Sequence, residues 1–233
     1  MAMTDAAGLA ARVEAIQQRV VTAAQRVGRD PSEIALLPVS KTRPAEAVAA
    51  VVGGTGLARF AENRPQELAA KARELEERGI EWVLIGPLQT NKAGLAAQFA
   101  CQFQALDDLR TAEALDRRLQ ALGRGMDVLI EVNTSGEAAK HGVATEDALE
   151  LARGLKQCSS LRPRGLMTVA LNSPDETAVR ACFRRLREVQ AQLRDASGEL
   201  WDELSMGMSG DFEWAVEEGS TIVRIGTAIF GSR

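Results

Sequence analysis

The chain has no tyrosine and a single histidine, His141, among its 233 residues. Its three cysteines, Cys101, Cys158 and Cys182, are odd in number, widely separated and without CxxC spacing. One imidazole and three scattered thiols do not supply the three or four nitrogen and sulfur ligands of a typical zinc site. A carboxylate-bound metal stays open, with nothing in the sequence pointing to one. The cysteines read as reduced, buried thiols of a cytosolic protein. No apolar run approaches the roughly 20 residues of a membrane-spanning helix. The first residues, with Asp5 and Glu14 set in an amphipathic pattern, do not read as a signal peptide. An excess of one charge is missing too: 28 Lys and Arg stand against 32 Asp and Glu, a net charge of -4 without a long single-sign block. A nucleic-acid binder would concentrate basic residues on one face, so that class is set aside.

What remains is ordinary globular composition, 45% hydrophobic and 26% charged, enough for a sizeable core. Leu9, Val13, Ile16, Val20, Val21 and Ala24 recur at helical spacing from Asp5 to about Val27, and Gly28 follows as a stop. Beyond Pro31, short apolar runs alternate with amphipathic segments. The runs are Ile34–Ser40, Leu57–Asn63, Glu81–Gly86, Cys101–Leu106, Asp127–Asn133, Arg164–Val169, Glu203–Met208 and Thr221–Phe230. Segments such as Pro65–Arg78, Leu109–Leu122, Thr145–Lys156 and Asp175–Arg194 lie between them.

About eight βα units of this size predict a single-domain α/β protein spanning residues 1–233, a (β/α)8 TIM-type barrel, rather than an open doubly wound sheet. No GxGxxG follows the first run, which weakens the dinucleotide-binding alternative. Only Gly231, Ser232 and Arg233 follow the last run, leaving no final helix to cover it. The extra N-terminal helix is expected to fill that gap and pack beside the last strand. Pro38 sits within the first strand, where it lacks a ladder donor, so a bulge or unpaired position is expected there.

In such a barrel the chemistry gathers where strands end. Those ends read Ser40-Lys41-Thr42, Glu62-Asn63, Gly86-Pro87-Leu88-Gln89-Thr90-Asn91-Lys92, Asn133-Thr134-Ser135-Gly136 and Gly165-Leu166-Met167-Thr168. The last two are Ser205-Met206-Gly207-Met208-Ser209 and Arg224-Ile225-Gly226-Thr227. The final pair suits a phosphate, because Gly226 allows close backbone approach while Thr227 and Ser209 offer hydroxyls. Glycine and serine also simply make turns. Lys41 reads either as a solvated strand-end lysine or as an imine-forming amine, and the second needs a partly desolvated site. Gln89 and Asn91 either gate a pocket or cap the next helix, with capping the expectation for Asn91. Lys92, Arg43 and Arg64 read as surface charge or as a second anion site.

Six stretches carry a resemblance when taken in order. They are Pro38–Thr42, Phe60–Asn63, Ile85–Lys92, Gly165–Thr168, Leu204–Ser209 and Val223–Gly231. Together they resemble the pyridoxal phosphate homeostasis family (YggS/PROSC-like), itself similar to the barrel domain of alanine racemase. GPLQTNK and SMGMS are the most specific of them. The resemblance implies the type III fold of enzymes dependent on pyridoxal 5'-phosphate (PLP). It also implies PLP as cofactor, and a role in intracellular vitamin B6 homeostasis without settled catalytic activity. It implies that Lys41 carries PLP as a Schiff base and that Ser209, Gly226 and Thr227 hold the phosphate. Arg224 would face the pyridine nitrogen, Asn63 would lie beside the ring, and Ser205 and Met206 would line the same wall. A cytoplasmic monomer that hands PLP to apo-enzymes is the implied setting. Ala61, Val83 and Pro38 depart from the family pattern, Val83 standing where a histidine is usual.

The residues also bear on whether such a protein carries or catalyses. A two-sided racemase needs a base on each face of the cofactor–amino acid plane. Lys41 could serve one face, but the tyrosine that alanine racemases use opposite it has no counterpart here. His141 reads as an exposed loop residue. An arginine at the ring nitrogen leaves that nitrogen unprotonated, a weaker electron sink. The expectation is a PLP holder, with a PLP-dependent amino-acid racemase as the alternative.

Overall fold

The apolar stripe of the first segment becomes the buried face of helix α1 (Ala6–Arg26), on which Leu9, Val13, Ile16 and Val20 are all shielded from solvent. The structure is a computed structural model describing residues 6–137, 140–198 and 201–232, so the expected start of this helix at Asp5 lies outside the described residues. The chain then alternates strand and helix: β1 (Ala35–Pro38), α2 (Ala45–Thr55), β2 (Arg59–Glu62), α3 (Pro65–Glu74), β3 (Glu81–Leu84) and α4 (Ala93–Phe99). It continues with β4 (Ala100–Leu106), α5 (Leu109–Ala121), β5 (Met126–Glu131), α6 (Ala148–Leu155), β6 (Leu161–Met167) and α7 (Glu176–Ser197). It closes with β7 (Glu203–Ser205), α8 (Phe212–Glu217), β8 (Ile222–Ile225) and α9 (Thr227–Phe230). Side-chain caps mark several starts: Asp108 accepts from Thr111 N–H at 2.8 Å before α5, and Asp175 accepts from Thr177 N–H at 2.9 Å before α7. Asn91 does not cap α4; it lies in a 3-10 turn, Thr90–Lys92, and no side chain caps that helix.

All strand pairs are parallel, in the order β1-β8-β7-β6-β5-β4-β3-β2. The ring closes between β1 and β2 through a single bridge, Val39 to Ala61, with Ser40 N–H donating to Ala61 O at 3.0 Å. Pro38 accounts for this narrow seam. Ala35 and Val39 N–H donate toward β8, to Thr221 O and Ile225 O, so by alternation the missing donor of Pro38 is on the β2 side. Pairing with β2 begins only after it.

The last apolar run divides differently from its expectation. Residues Ile222–Ile225 are strand, and Thr227–Phe230 form the short α9. Gly226 makes the corner by approaching β1 closely: a Cβ there would stand 3.3 Å from Val39 O. Helix α1 fills the gap left in the helix ring by packing on α2, α8 and α9. Arg12 Nε donates to Ile229 O at 2.6 Å and ties the two chain ends together. Among the described residues no helix is long and apolar enough to cross a membrane.

The main core lies between strands and helices. Inside the barrel, Leu37, Val39, Ala61, Val83 and Ile222 form a second apolar cluster against Ile85 and Cys101. Val83 thus packs as a core residue. The opposite inner sector is polar. Gln102 and Gln104, two residues apart on β4, are fully buried, and Gln104 Nε2 donates to Gln102 Oε1 at 2.8 Å. Gln102 accepts from Arg59 at 2.8 Å and donates to Glu203 at 2.6 Å.

Gly165 sets the β6–β7 spacing, since a Cβ there would lie 1.8 Å from Glu203 O. We expect Gly165→Ala to destabilise the protein by about 1–3 kcal/mol or more, measured by chemical denaturation. Unchanged stability would show that the two strands do not approach this closely.

Candidate cofactor site

Lys41, Asn63, Ser209, Arg224, Gly226 and Thr227, distant in sequence, come together at the C-terminal mouth of the barrel. They border a cavity of about 500 Å³, whose apolar wall includes Val39, Ile85, Met167 and Phe230. β1 delivers Lys41 and β2 delivers Asn63, while the loops after β7 and β8 bring Ser209 to α9. Ser209 Oγ accepts from Ala228 N–H at 3.2 Å and from Thr227 Oγ1 at 3.4 Å. Asn63 presents a buried Oδ1 without a hydrogen-bond partner, a side-chain amide poised for a ligand. Lys41 is exposed where it borders the mouth of the cavity. No hydrogen bond or ion pair holds its ammonium among the described residues.

Arg224 is the buried charge of the site, 4% exposed. Its Nη1 donates to Ser205 Oγ at 2.7 Å and its Nη2 to Thr168 O at 2.8 Å. Ser205 passes the chain on, donating to Gln104 at 2.7 Å. Ser205 therefore lies behind Arg224, outside the cavity lining, and Met206 is buried in the main core. Burial pulls the Arg224 pKa down to about 10, against the opposing charges of Glu131 and Asp211, and leaves it cationic at neutral pH. Asp211 accepts from Met208 N–H at 2.6 Å; burial pushes its carboxyl up, and that hydrogen bond and Arg224 pull it back.

Glu131, Gln104 and Asp211 support this site without having been singled out in the sequence, and Thr168, quoted there only as part of a strand end, supplies its backbone oxygen. A signal existed for two of them. Gln102 and Gln104 alternate in an otherwise apolar run, as does Glu131 at the end of DVLIE, and polar residues on the inner face of a parallel strand need buried partners. Asp211 and Thr168 O are brought near Arg224 only by the barrel's closure. His141 is exposed in its loop, as its glycine-flanked setting suggested.

Burial first, and then the charge of Asp107, raises the Glu131 carboxyl to about 7, with Arg224 opposing. A carboxyl raised in the folded state holds a proton that the unfolded chain has released. Its contribution is full at acid pH and is lost as pH climbs from the ordinary carboxylate range through about 7. Glu131→Gln should flatten that decline, by at most about 3 kcal/mol between pH 5 and 8. Denaturation curves at both pH values read the difference, and parallel pH dependence in the two proteins would refute the assignment.

Residues 12–233 match the family model described as alanine racemase, N-terminal domain. The pyridoxal phosphate homeostasis protein of Pseudomonas aeruginosa is 43% identical over 225 residues, covering 97% of this chain and 96% of that one. The Escherichia coli protein of the same name is 41% identical over 223 residues, covering 94% of each chain. The structure of Synechococcus elongatus PipY, solved with PLP bound, superposes with a TM-score of 0.84 at 32% identity, covering 96% of this chain and 100% of that one. An alanine racemase from Clostridium difficile shares the fold at a TM-score of 0.70 and 14% identity, and 93% of this chain covers only 59% of the enzyme. This chain belongs to the alanine racemase N-terminal domain family and to the pyridoxal phosphate homeostasis proteins.

Proposed function

We propose that the protein binds PLP at the barrel mouth and serves intracellular vitamin B6 homeostasis by holding and releasing it. The observation that carries this reading is the convergence, on one cavity, of a free lysine amine, a hydroxyl-lined corner and a buried arginine. These residues fit the group. Ser209, Gly226 and Thr227 would hold its phosphate, and the amide of Asn63, with its unpartnered buried oxygen, would reach a polar ring substituent. Arg224 uses two N–H groups on Ser205 and Thr168, and its fork has five, so donors remain for a ring nitrogen. Ser205 would act through Arg224, and Met206 by backing the wall. When bound, PLP supplies an aldehyde able to take up an amine.

Lys41 is the residue we assign to that aldehyde. Lys41 would supply the amine for a reversible Schiff base with that aldehyde, water being released when the bond forms and consumed when it is undone, with no oxidant or reductant needed. Phosphate hydrogen bonds of roughly 1.5–3 kcal/mol each would retain PLP during that exchange. We read the chain as a single-domain cytoplasmic monomer that passes PLP to apo-enzymes. The three cysteines are unpaired, in keeping with a reducing compartment. The absence of tyrosine and the exposed His141 weigh against the racemase alternative.

Titration with PLP should give a Schiff-base absorbance band, which borohydride fixes onto Lys41 in a peptide map. Lys41→Ala should abolish the band, and an unchanged band in that variant would refute the assignment. Ser209→Ala or Thr227→Ala should weaken PLP binding about tenfold while the band still forms. Transfer to an apo-enzyme tests the carrier role. Sustained interconversion of single-enantiomer amino acids, read by chiral chromatography, would favour the racemase instead.

A further inference from the structure

Lys41 is untethered, yet its two neighbours in sequence are held by one buried ion cluster behind the cavity. Lys71 of α3 is 5% exposed. Its Nζ donates to Ser40 O at 2.7 Å, to Glu62 Oε1 at 2.5 Å and to Glu67 Oε1 at 3.1 Å. Ser40 Oγ donates to the same Glu62 oxygen at 2.6 Å, and Thr42 N–H donates to Glu67 Oε1 at 2.6 Å. The residue before Lys41 is thus fixed through its carbonyl and hydroxyl, and the residue after it through its amide. Neither Glu62, Glu67 nor Lys71 borders the cavity.

The backbone is strained where this cluster grips it. Thr42 has φ +63°, the only non-glycine residue with positive φ among the described residues. A β-branched side chain is an outlier in that region, and such a conformation persists only where surrounding contacts over-determine it. Here the contact is the Glu67 carboxylate. Arg43 N–H donates to Ser40 O at 3.0 Å and closes the turn. Glu62 also precedes Asn63, so the cluster reaches three residues of the cavity wall, Lys41, Thr42 and Asn63.

We propose that Glu67 and Lys71, four residues apart on α3, are positioning residues that hold the Ser40–Lys41–Thr42 turn so that the Lys41 amine is presented to the cavity. The inference rests on the reading of Lys41 as the Schiff-base lysine. Lys71 itself is a poor test site, because its removal leaves Glu62 buried without its cation, a change that destabilises on its own account. Glu67 is a quarter exposed, and its replacement leaves Lys71 still paired with Glu62. Glu67→Ala removes the acceptor for Thr42 N–H, whereas Glu67→Gln retains an oxygen that can accept it.

Three readings separate positioning from general support: the rate of Schiff-base formation with PLP, the affinity for inorganic phosphate, and amide exchange at Thr42. Glu67→Ala should slow Schiff-base formation about tenfold and speed Thr42 exchange, with phosphate affinity within about twofold of wild type. Glu67→Gln should restore most of the rate. An unchanged rate in Glu67→Ala despite faster Thr42 exchange would overturn the proposal. So would a parallel loss of phosphate affinity, which would mark a loosened fold. Reductive methylation of Lys41 with formaldehyde in the PLP-free protein keeps the two readings apart. If PLP attaches elsewhere in wild type, the Schiff-base assignment fails, and a methylation rate unaltered by Glu67→Ala then sinks the positioning role as well.

Discussion

A guanidinium enclosed in the mouth of the barrel has to find acceptors within the protein, and the placement of Arg224 shapes much of what surrounds it. Leaving a buried charge unpaired costs several kcal/mol. Thr168 O and Ser205 Oγ meet it directly, while Glu131 and Asp211 supply opposing charge. Ser205 then needs an acceptor of its own, which is Gln104, and Gln104 needs Gln102. The outcome is a hydrogen-bonded track from the cavity across the barrel interior to Arg59 and Glu203. Such a network specifies geometry because each partly satisfied alternative leaves a polar group bare.

The other inner sector works by a different rule. β1, β2, β3 and β8 fill it with Leu37, Ala61, Val83 and Ile222, so packing rather than hydrogen bonding sets the spacing there. The β1–β2 seam is narrow because Pro38 has no donor to give β2. Closure at that seam falls to one backbone bridge and to the buried charges of Glu62 and Lys71, which bond to Ser40 from the β2–α3 side. The lysine proposed to carry PLP therefore emerges where the barrel is least zipped by its ladder and most held by side chains. The ring contact proposed for Arg224, the phosphate contacts proposed for the hydroxyl corner and a free amine on the same cavity suit reversible capture better than two-base chemistry.

Much of the fold could be read along the chain. Eight strands, their order of appearance, the N-terminal helix and the cavity residues at strand ends all follow from local pattern. A strand end is set by where an apolar run stops, and the barrel rule then says which end carries chemistry. The run Thr221–Phe230 misled because apolar residues at its end serve equally well in a strand or a buried helical turn. The clamp behind Lys41 was illegible for another reason. Glu67 and Lys71 look like an ordinary i,i+4 surface pair, and nothing local shows that Ser40 and Thr42 end on them.

The sequence by itself determined the class of fold and the likeness to the pyridoxal phosphate homeostasis proteins, and it singled out Lys41, Arg224 and the hydroxyl corner as candidates. Periodicity and contiguous motifs carry that kind of information. Tertiary structure alone decided that Arg224 is solvated by the protein, that Ser205 stands behind it, and that Lys41 is left free while its neighbours are tied. Those outcomes depend on how much water reaches a group and on which distant atoms lie within 3 Å of it. Closing the barrel creates both conditions at once.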